Sequence, residues 1–173
     1  NALQGLIGGL SQVSPEMYVP IEKFALDKSS ETFANVALNA YTKFKDEAPM
    51  ICIENMYPGM AFNSAKGESE IPGMGDLILA SRKKFVEKAV EKGMDEGDAR
   101  KQAERLIGAT LDTGHLNISK KKGFEDKDLK KEVEEIAKYV KHVHLSDNFG
   151  YSDSHLPTGM GNAPFKTILE ELE

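Results

Sequence analysis

The sequence predicts an α/β domain in which parallel strands alternate with helices. Three observations carry the prediction. Short apolar runs recur at Met50-Ile-Cys-Ile-Glu54, Ile107-Gly-Ala-Thr-Leu111 and Val140-Lys-His-Val-His-Leu145, each of strand length. Stretches with apolar residues spaced by three and four separate them. Acids and imidazoles gather at the C-terminal ends of the runs, where parallel α/β sheets and (β/α)8 barrels place their sites. Strands alternating with helices imply right-handed crossovers between parallel neighbours.

In chain order, Asn1-Ala2 reads as an expression-tag remnant, and residues 3–173 are expected to form one domain. Residues 3–10 fit a short strand or a glycine-rich turn. Residues 11–28 hold Pro15 and Pro20 without a steady period, although Ile21 to Leu26 fit a helical turn. Ser30 is expected to cap a helix whose apolar stripe is Phe33, Val36, Ala37, Ala40, Tyr41 and Phe44. The run at 50–54, bounded by Pro49 and rich in isoleucine, reads as a buried strand. Residues 55–75, with Pro58, Gly59, Gly67, Pro72, Gly73 and Gly75, form a loop long enough to act as a lid. Asp76 is expected to cap a helix through Ile78, Leu79, Phe85, Val86 and Val90 to Gly93. Asp95 should cap a second, with Ala99, Ala103, Leu106 and Ile107 on one side. The strand at 107–111 follows, then an amphipathic helix over 125–139 with Leu129, Val133, Ile136 and Ala137 inward. The strand at 140–145 leads into a glycine-punctuated loop over 148–162. The last helix starts at Pro164, with Phe165, Ile168, Leu169 and Leu172 at helical spacing.

Bulk properties narrow the function. The 173 residues can bury one substantial core. A net charge of −6 argues against binding to a phosphate backbone, which needs a basic face, so nucleic acid is not the expected partner. Lys120-Lys-Lys122 with Lys127, Lys130 and Lys131 reads as a solvated loop and helix start. Cys52 is the single cysteine. It excludes an intrachain disulfide, suits a reducing, cytoplasmic compartment and, between two isoleucines, reads as a buried, inert thiol. No apolar stretch approaches the roughly 18 residues of a membrane span, and no signal peptide is visible.

The chemistry-bearing residues are few. Three of the four histidines fall in acid-bearing motifs: Asp112-Thr-Gly-His115, His144-Leu-Ser-Asp147 and Asp153-Ser-His155. Glu54 ends the first strand, where an uncompensated carboxylate is expensive; a metal ion, a helix cap or solvent could each offset that cost. Gly114 permits a turn that brings Asp112 and His115 inward; the plainer alternative is an Asp-capped helix start with a surface histidine. Strand alternation puts His142, His144 and Ser146 on one face, with His144 toward a pocket and His142 a layer deeper as a satisfied core histidine or a support to a ligand. Asp153 and His155 lie in a loop, where polar residues are common. Together, imidazoles and carboxylates at successive strand ends suit a divalent cation. The chain has no P-loop, dinucleotide fingerprint, calcium loop or nucleophile elbow.

The segments Ile51-Cys-Ile-Glu54-Asn55, Leu111-Asp112-Thr-Gly-His115 and His142-Val-His144-Leu-Ser-Asp147-Asn148, with Asp153-Ser-His155-Leu-Pro-Thr-Gly159-Met-Gly161, resemble the xylose isomerase-like TIM barrels. That superfamily includes sugar phosphate isomerases and epimerases, and also endonuclease IV, the apurinic-site endonuclease. The resemblance spans about residues 30–173, the second half of a barrel. It implies a partial (β/α)8 TIM barrel, since a whole one needs about 250 residues. It also implies a divalent metal ion (zinc, manganese, magnesium or cobalt) on Glu54, Asp112 and His144. The family's fourth ligand, a glutamate ending the last strand, has no counterpart in this sequence. In the endonuclease branch His115 joins Asp153 and His155 at a further zinc, and the earlier-strand histidines of that branch have no counterparts in residues 1–48.

Three functions follow from the resemblance. The first is a metal-dependent sugar or sugar-phosphate isomerase or epimerase acting on a small-molecule sugar, with Glu54 as acid/base and His115 orienting a substrate hydroxyl. The second is an endonuclease IV-like phosphodiesterase. The third is an inactive half-barrel that folds, with sheet edges that a second copy could cover as a homodimer.

Overall fold

The computed structural model describes residues 20–56 and 71–172, the side chains of 71 and 72 excepted. The expected tag remnant, the strand or turn at 3–10 and most of the 55–75 loop lie outside the described residues.

Helix α1 spans Ile21–Phe44 and is followed by a 3-10 turn, Lys45–Glu47. It starts nine residues before the expected cap at Ser30. Residues 21–29 contain no helix breaker, and Pro20, whose missing N–H is harmless at a helix start, precedes them. Ser30 is fully buried inside the helix, and its Oγ donates to the Asp27 carbonyl at 3.0 Å. The buried face is Ser30, Ala34, Ala37 and Leu38, whereas Val36 and Phe44 are exposed. Of the expected stripe, Ala37 is in the core and Phe33, Ala40 and Tyr41 pack against it; only Val36 and Phe44 fall outside.

That neighbour is α2, Ile71–Glu91. It too begins early, so Asp76 sits inside the helix instead of capping it. Lys84 pairs with Asp27 at 2.6 Å and Lys88 with Glu31 at 3.3 Å. Both pairs step the same way along the two chains, so the helices run parallel side by side. Helix α3, Glu96–Leu106, starts at Asp95 as expected; its carboxylate accepts from Gly97 N at 2.8 Å and Asp98 N at 3.2 Å.

Strands β1 (Ile51–Glu54), β2 (Ile107–Asp112) and β3 (Val140–His144) form one parallel sheet in the order β1-β2-β3. Between β2 and β3 run a short helix α4 (Thr113–Ile118), a 3-10 turn (Ser119–Lys122) and α5 (Asp126–Ile136), which buries Leu129, Val133 and Ile136 as expected. A short α6, Phe165–Leu169, follows the loop after β3. Ile53, Ile107, Ala109 and Leu111 join Phe85, Ile78 and Ile136 in the core.

The register decides which residues share the other face. Glu54 pairs with Thr110, Thr110 with His142, and Asp112 with His144. Between Ala109 and Thr110 the register shifts, because β3 inserts Lys141 as an extra residue. This bulge turns Val140 toward the helices beside Ala109 and places His142 and His144 beside Thr110 and Asp112. His142 is exposed, not the deeper core histidine expected: it lies on edge strand β3, whereas Thr110 and Asp112 on the same face of the central strand are buried. Its ring stands edge-on to His144, with centroids 5.0 Å apart.

Two glycines test this packing in opposite directions. A Cβ on Gly108 would strike the Lys141 side chain and come within 2.9 Å of the Tyr139 carbonyl oxygen, so Gly108→Ala should cost about 1–3 kcal/mol. A Cβ on helical Gly75 would meet Tyr139 Cε2 at an ordinary 3.8 Å, so Gly75→Ala should gain about 0.5–1 kcal/mol. Urea denaturation of both variants measures the contrast.

Candidate metal centre

Asp112 stands at the C-terminal end of the central strand with its side chain wholly buried. Its Oδ1 accepts from Gly114 N at 2.8 Å, His115 N at 3.1 Å and Ser146 Oγ at 2.7 Å. The first two bonds cap α4, so the plain helix-cap reading is correct for one oxygen. The other oxygen, Oδ2, is buried and accepts no hydrogen bond. It lies 3.5 Å from His144 Nδ1, and His144 Nδ1 lies 2.8 Å from Glu54 Oε1. Three strand ends thus bring Glu54, Asp112 and His144 together. The pairing Asp112–His144 comes from the register, and Glu54 reaches the same point from β1.

His115, one turn into α4, is buried rather than on the surface, contrary to the helix-cap alternative. One ring nitrogen, Nδ1, lies 2.6 Å from the Asn55 carbonyl and is assigned as the donor. Nε2 lies 3.2 Å from Asp153 Oδ2, and His155 Nε2 lies 3.1 Å from the same oxygen. Burial disfavours the charged imidazole. The Asn55 carbonyl, the Asp112 charge and the Asp153 carboxylate outweigh it and raise the His115 pKa above the ordinary histidine value.

Two overlapping donor sets result. Glu54, Asp112 and His115 offer ligand atoms within 4.8 Å of one another, and so do His115, Asp153 and His155. Each set contains a buried carboxylate oxygen without a hydrogen-bond partner, Asp112 Oδ2 in one and Asp153 Oδ1 in the other. Such an oxygen is costly unless a cation compensates it, and mixed nitrogen and oxygen donors suit a divalent transition metal or magnesium. The residues present therefore fit a metal ion.

The loop carrying Asp153 and His155 is irregular but anchored. Asp147 Oδ1 accepts from Asn148 N at 2.8 Å and Ala163 N at 3.0 Å; Oδ2 accepts from Gly159 N at 2.9 Å and Gly161 N at 2.8 Å. Asn117 Nδ2 donates to the Asn148 carbonyl at 3.1 Å, Asn148 Oδ1 at 3.0 Å and Asn162 Oδ1 at 2.8 Å. His155 takes φ 45°, a conformation that costs a non-glycine residue about 1–3 kcal/mol and that this anchoring sustains. Sequence reading missed Asn55, Asn117, Ser146 and Asn148 as organisers of the site. The asparagines follow or precede candidate ligands, yet nothing in their spacing shows what they bond.

Comparison with known proteins agrees with this geometry. Residues 88–173 match the model of the xylose isomerase-like TIM barrel family, a stretch that includes β2, β3, Asp112 and all four histidines. A segment of 67 residues, 39% of the chain, is 36% identical to an uncharacterized protein of Methanocaldococcus jannaschii. The match spans 22% of that protein's own length. No solved structure matches the chain. Among the described residues no helix is long and apolar enough to cross a membrane.

Asp147 generates a prediction with a definite pH dependence. Burial pushes its carboxyl up, but four backbone N–H groups overcome this and hold it below the ordinary carboxylate range. Its stabilising effect is therefore complete above the unfolded-state value of about 4 and disappears as pH falls through the lower folded-state value. Asp147→Asn turns an amide toward two of the four donors and should cost about 2–3 kcal/mol at pH 7. Denaturant titrations of wild type and variant should converge as the pH drops below about 4.

Proposed function

Since residues 88–173 match the model of the xylose isomerase-like TIM barrel family, we propose that this protein is a divalent-metal-dependent enzyme of sugar or sugar-phosphate isomerisation or epimerisation. The observation that carries the reading is Asp112 Oδ2, buried, without a hydrogen-bond partner and facing His144 and Glu54. Glu54, Asp112 and His144 would hold the ion. The ion would act as a Lewis acid toward adjacent oxygens of a hydroxy-carbonyl substrate.

The chain's own groups divide the remaining work. Asp112 is fixed by three donors and cannot turn away. Glu54 is more than a third exposed, so a substrate can reach its carboxylate. In an isomerisation it would take a proton from the carbon beside the carbonyl and return it to the neighbouring carbon, while the hydroxyl proton passes to the former carbonyl oxygen; an epimerisation would need a second acid on the opposite face. His144 Nδ1, 2.8 Å from Glu54 Oε1 and 3.5 Å from Asp112 Oδ2, is the nitrogen that would be offered to the ion. His115 lies where the two donor sets meet and orients a substrate hydroxyl on the side of the 147–163 loop.

A second reading is an endonuclease IV-like phosphodiesterase. The adjoining set His115, Asp153 and His155 favours it, because neighbouring metal ions suit displacement at phosphorus. The net charge of −6 speaks against a nucleic-acid substrate.

Incubating the manganese- or cobalt-loaded protein in heavy water with free and phosphorylated aldoses and ketoses tests the first reading. Deuterium should enter carbon beside the carbonyl, and Glu54→Gln should lower the rate about 10²–10⁴-fold with the fold intact. Exchange undiminished in Glu54→Gln rejects its role. Incision of abasic DNA without exchange into any sugar replaces the first reading with the second.

A further inference from the structure

We propose that Asn55 is the positioning residue that couples the two donor sets, its side-chain amide standing in for a backbone carbonyl so that the carbonyl can hold His115. The parallel ladder between β1 and β2 pairs Ile51 with Ile107 through Glu54 with Thr110. One step further, the pattern requires the residue-55 N–H to donate to the Thr110 carbonyl and the residue-55 carbonyl to accept from Asp112 N–H. The first bond is present, at 3.3 Å. The second is made by the wrong oxygen. Asp112 N donates to Asn55 Oδ1 at 2.6 Å, and Asn55 Nδ2 donates to the Asp112 carbonyl at 3.2 Å.

The displaced Asn55 carbonyl instead accepts from His115 Nδ1 at 2.6 Å. Asn55 is 2% exposed, so water cannot replace either partner. A carboxamide has the acceptor and donor of a peptide group on one short stem, which is why asparagine can extend a ladder sideways. A buried backbone N–H demands an acceptor. Without the amide, Asp112 N–H and His115 Nδ1–H compete for one residue-55 carbonyl. Asn55 therefore sets both the backbone of Asp112 and the tautomer of His115, so that Nε2, 3.2 Å from Asp153 Oδ2, is the nitrogen that an ion between the two would engage. Groups that orient metal ligands in this way change affinity by about 10–100-fold when removed.

The inference rests on the metal reading above but is measured without relying on it. Long-range ¹H–¹⁵N spectra of histidine-labelled full chain, recorded metal-free at alkaline pH where the ring is neutral, report the tautomer. Wild type should show His115 protonated at Nδ1. Asn55→Ala should lose that signature as the carbonyl returns to Asp112 N–H. Asn55→Asp, which keeps the acceptor and drops the donor, should retain it. Manganese titration of the same proteins should show a 10–100-fold loss in Asn55→Ala. An Nδ1–H signature unchanged in folded Asn55→Ala overturns the proposal. So does an Nε2–H tautomer in wild type, which needs no variant to fold. Absence of metal binding by the wild type would remove the metal reading and leave the tautomer results to judge Asn55.

Discussion

The buried carboxylate of Asp112 constrains everything around it. A carboxylate stripped of water loses several kcal/mol of hydration, which only fixed donors or a cation can offset. Three donors converge on Oδ1, and each dictates local structure. Two are backbone N–H groups, so α4 must begin immediately after β2. The third is Ser146 Oγ, so the chain leaving β3 must pass beside Asp112. A Cβ on Gly114 would collide with Ser146 Oγ and come within 3.0 Å of Asn148 Nδ2, so the residue supplying the first of the two N–H donors must be small. The extra residue at Lys141 then follows, because it brings His144 level with Asp112.

The same logic makes an irregular loop behave as a scaffold. Ser146 turns its side chain to Asp112, and the next residue, Asp147, turns its own into the loop that follows. Asp147 also exchanges backbone bonds with Leu156, at 2.9 and 2.8 Å, and so closes the loop on itself. Asn148 Nδ2 donates to the Gly114 carbonyl at 2.8 Å, tying the loop to α4. Asp153 and His155 are therefore placed by buried polar bonds rather than by regular secondary structure. Such bonds are directional, so they can hold a ligand-like side chain at a set distance from His115.

What could be read from the residues divides along physical lines. The strands were legible because each run is short and carries apolar residues continuously or in alternation, and the three runs became β1, β2 and β3 within a residue. The convergence of Glu54, Asp112 and His144 was legible because parallel strands put their C-terminal ends on one rim. The start of α1 was not, because Ser30 has the composition of a cap while its real role is to be small beneath α2. The exposure of His142 was not, because alternation assigns a face without saying what covers it. The organising asparagines were invisible for a further reason. A carboxamide bonds equally well to backbone or side chain, near or far, and residues 57 apart, such as Asn55 and Asp112, share no local pattern.

Burial across the candidate centre is graded, and the gradient bears on chemistry. Among the described strands only β2 is buried along its whole length; β1 is partly covered and β3 mostly exposed. Asp112 is consequently sealed while Glu54 and His144 are 37% and 44% exposed. A group that must stay put benefits from the first environment, since a buried, bonded carboxylate has one orientation. A group that must exchange a proton with a substrate needs the second. One sheet supplies both because its register places residues of the central and edge strands at the same height. The contrast in exposure between Asp112 and Glu54 is thus a consequence of strand order, before any ligand is considered.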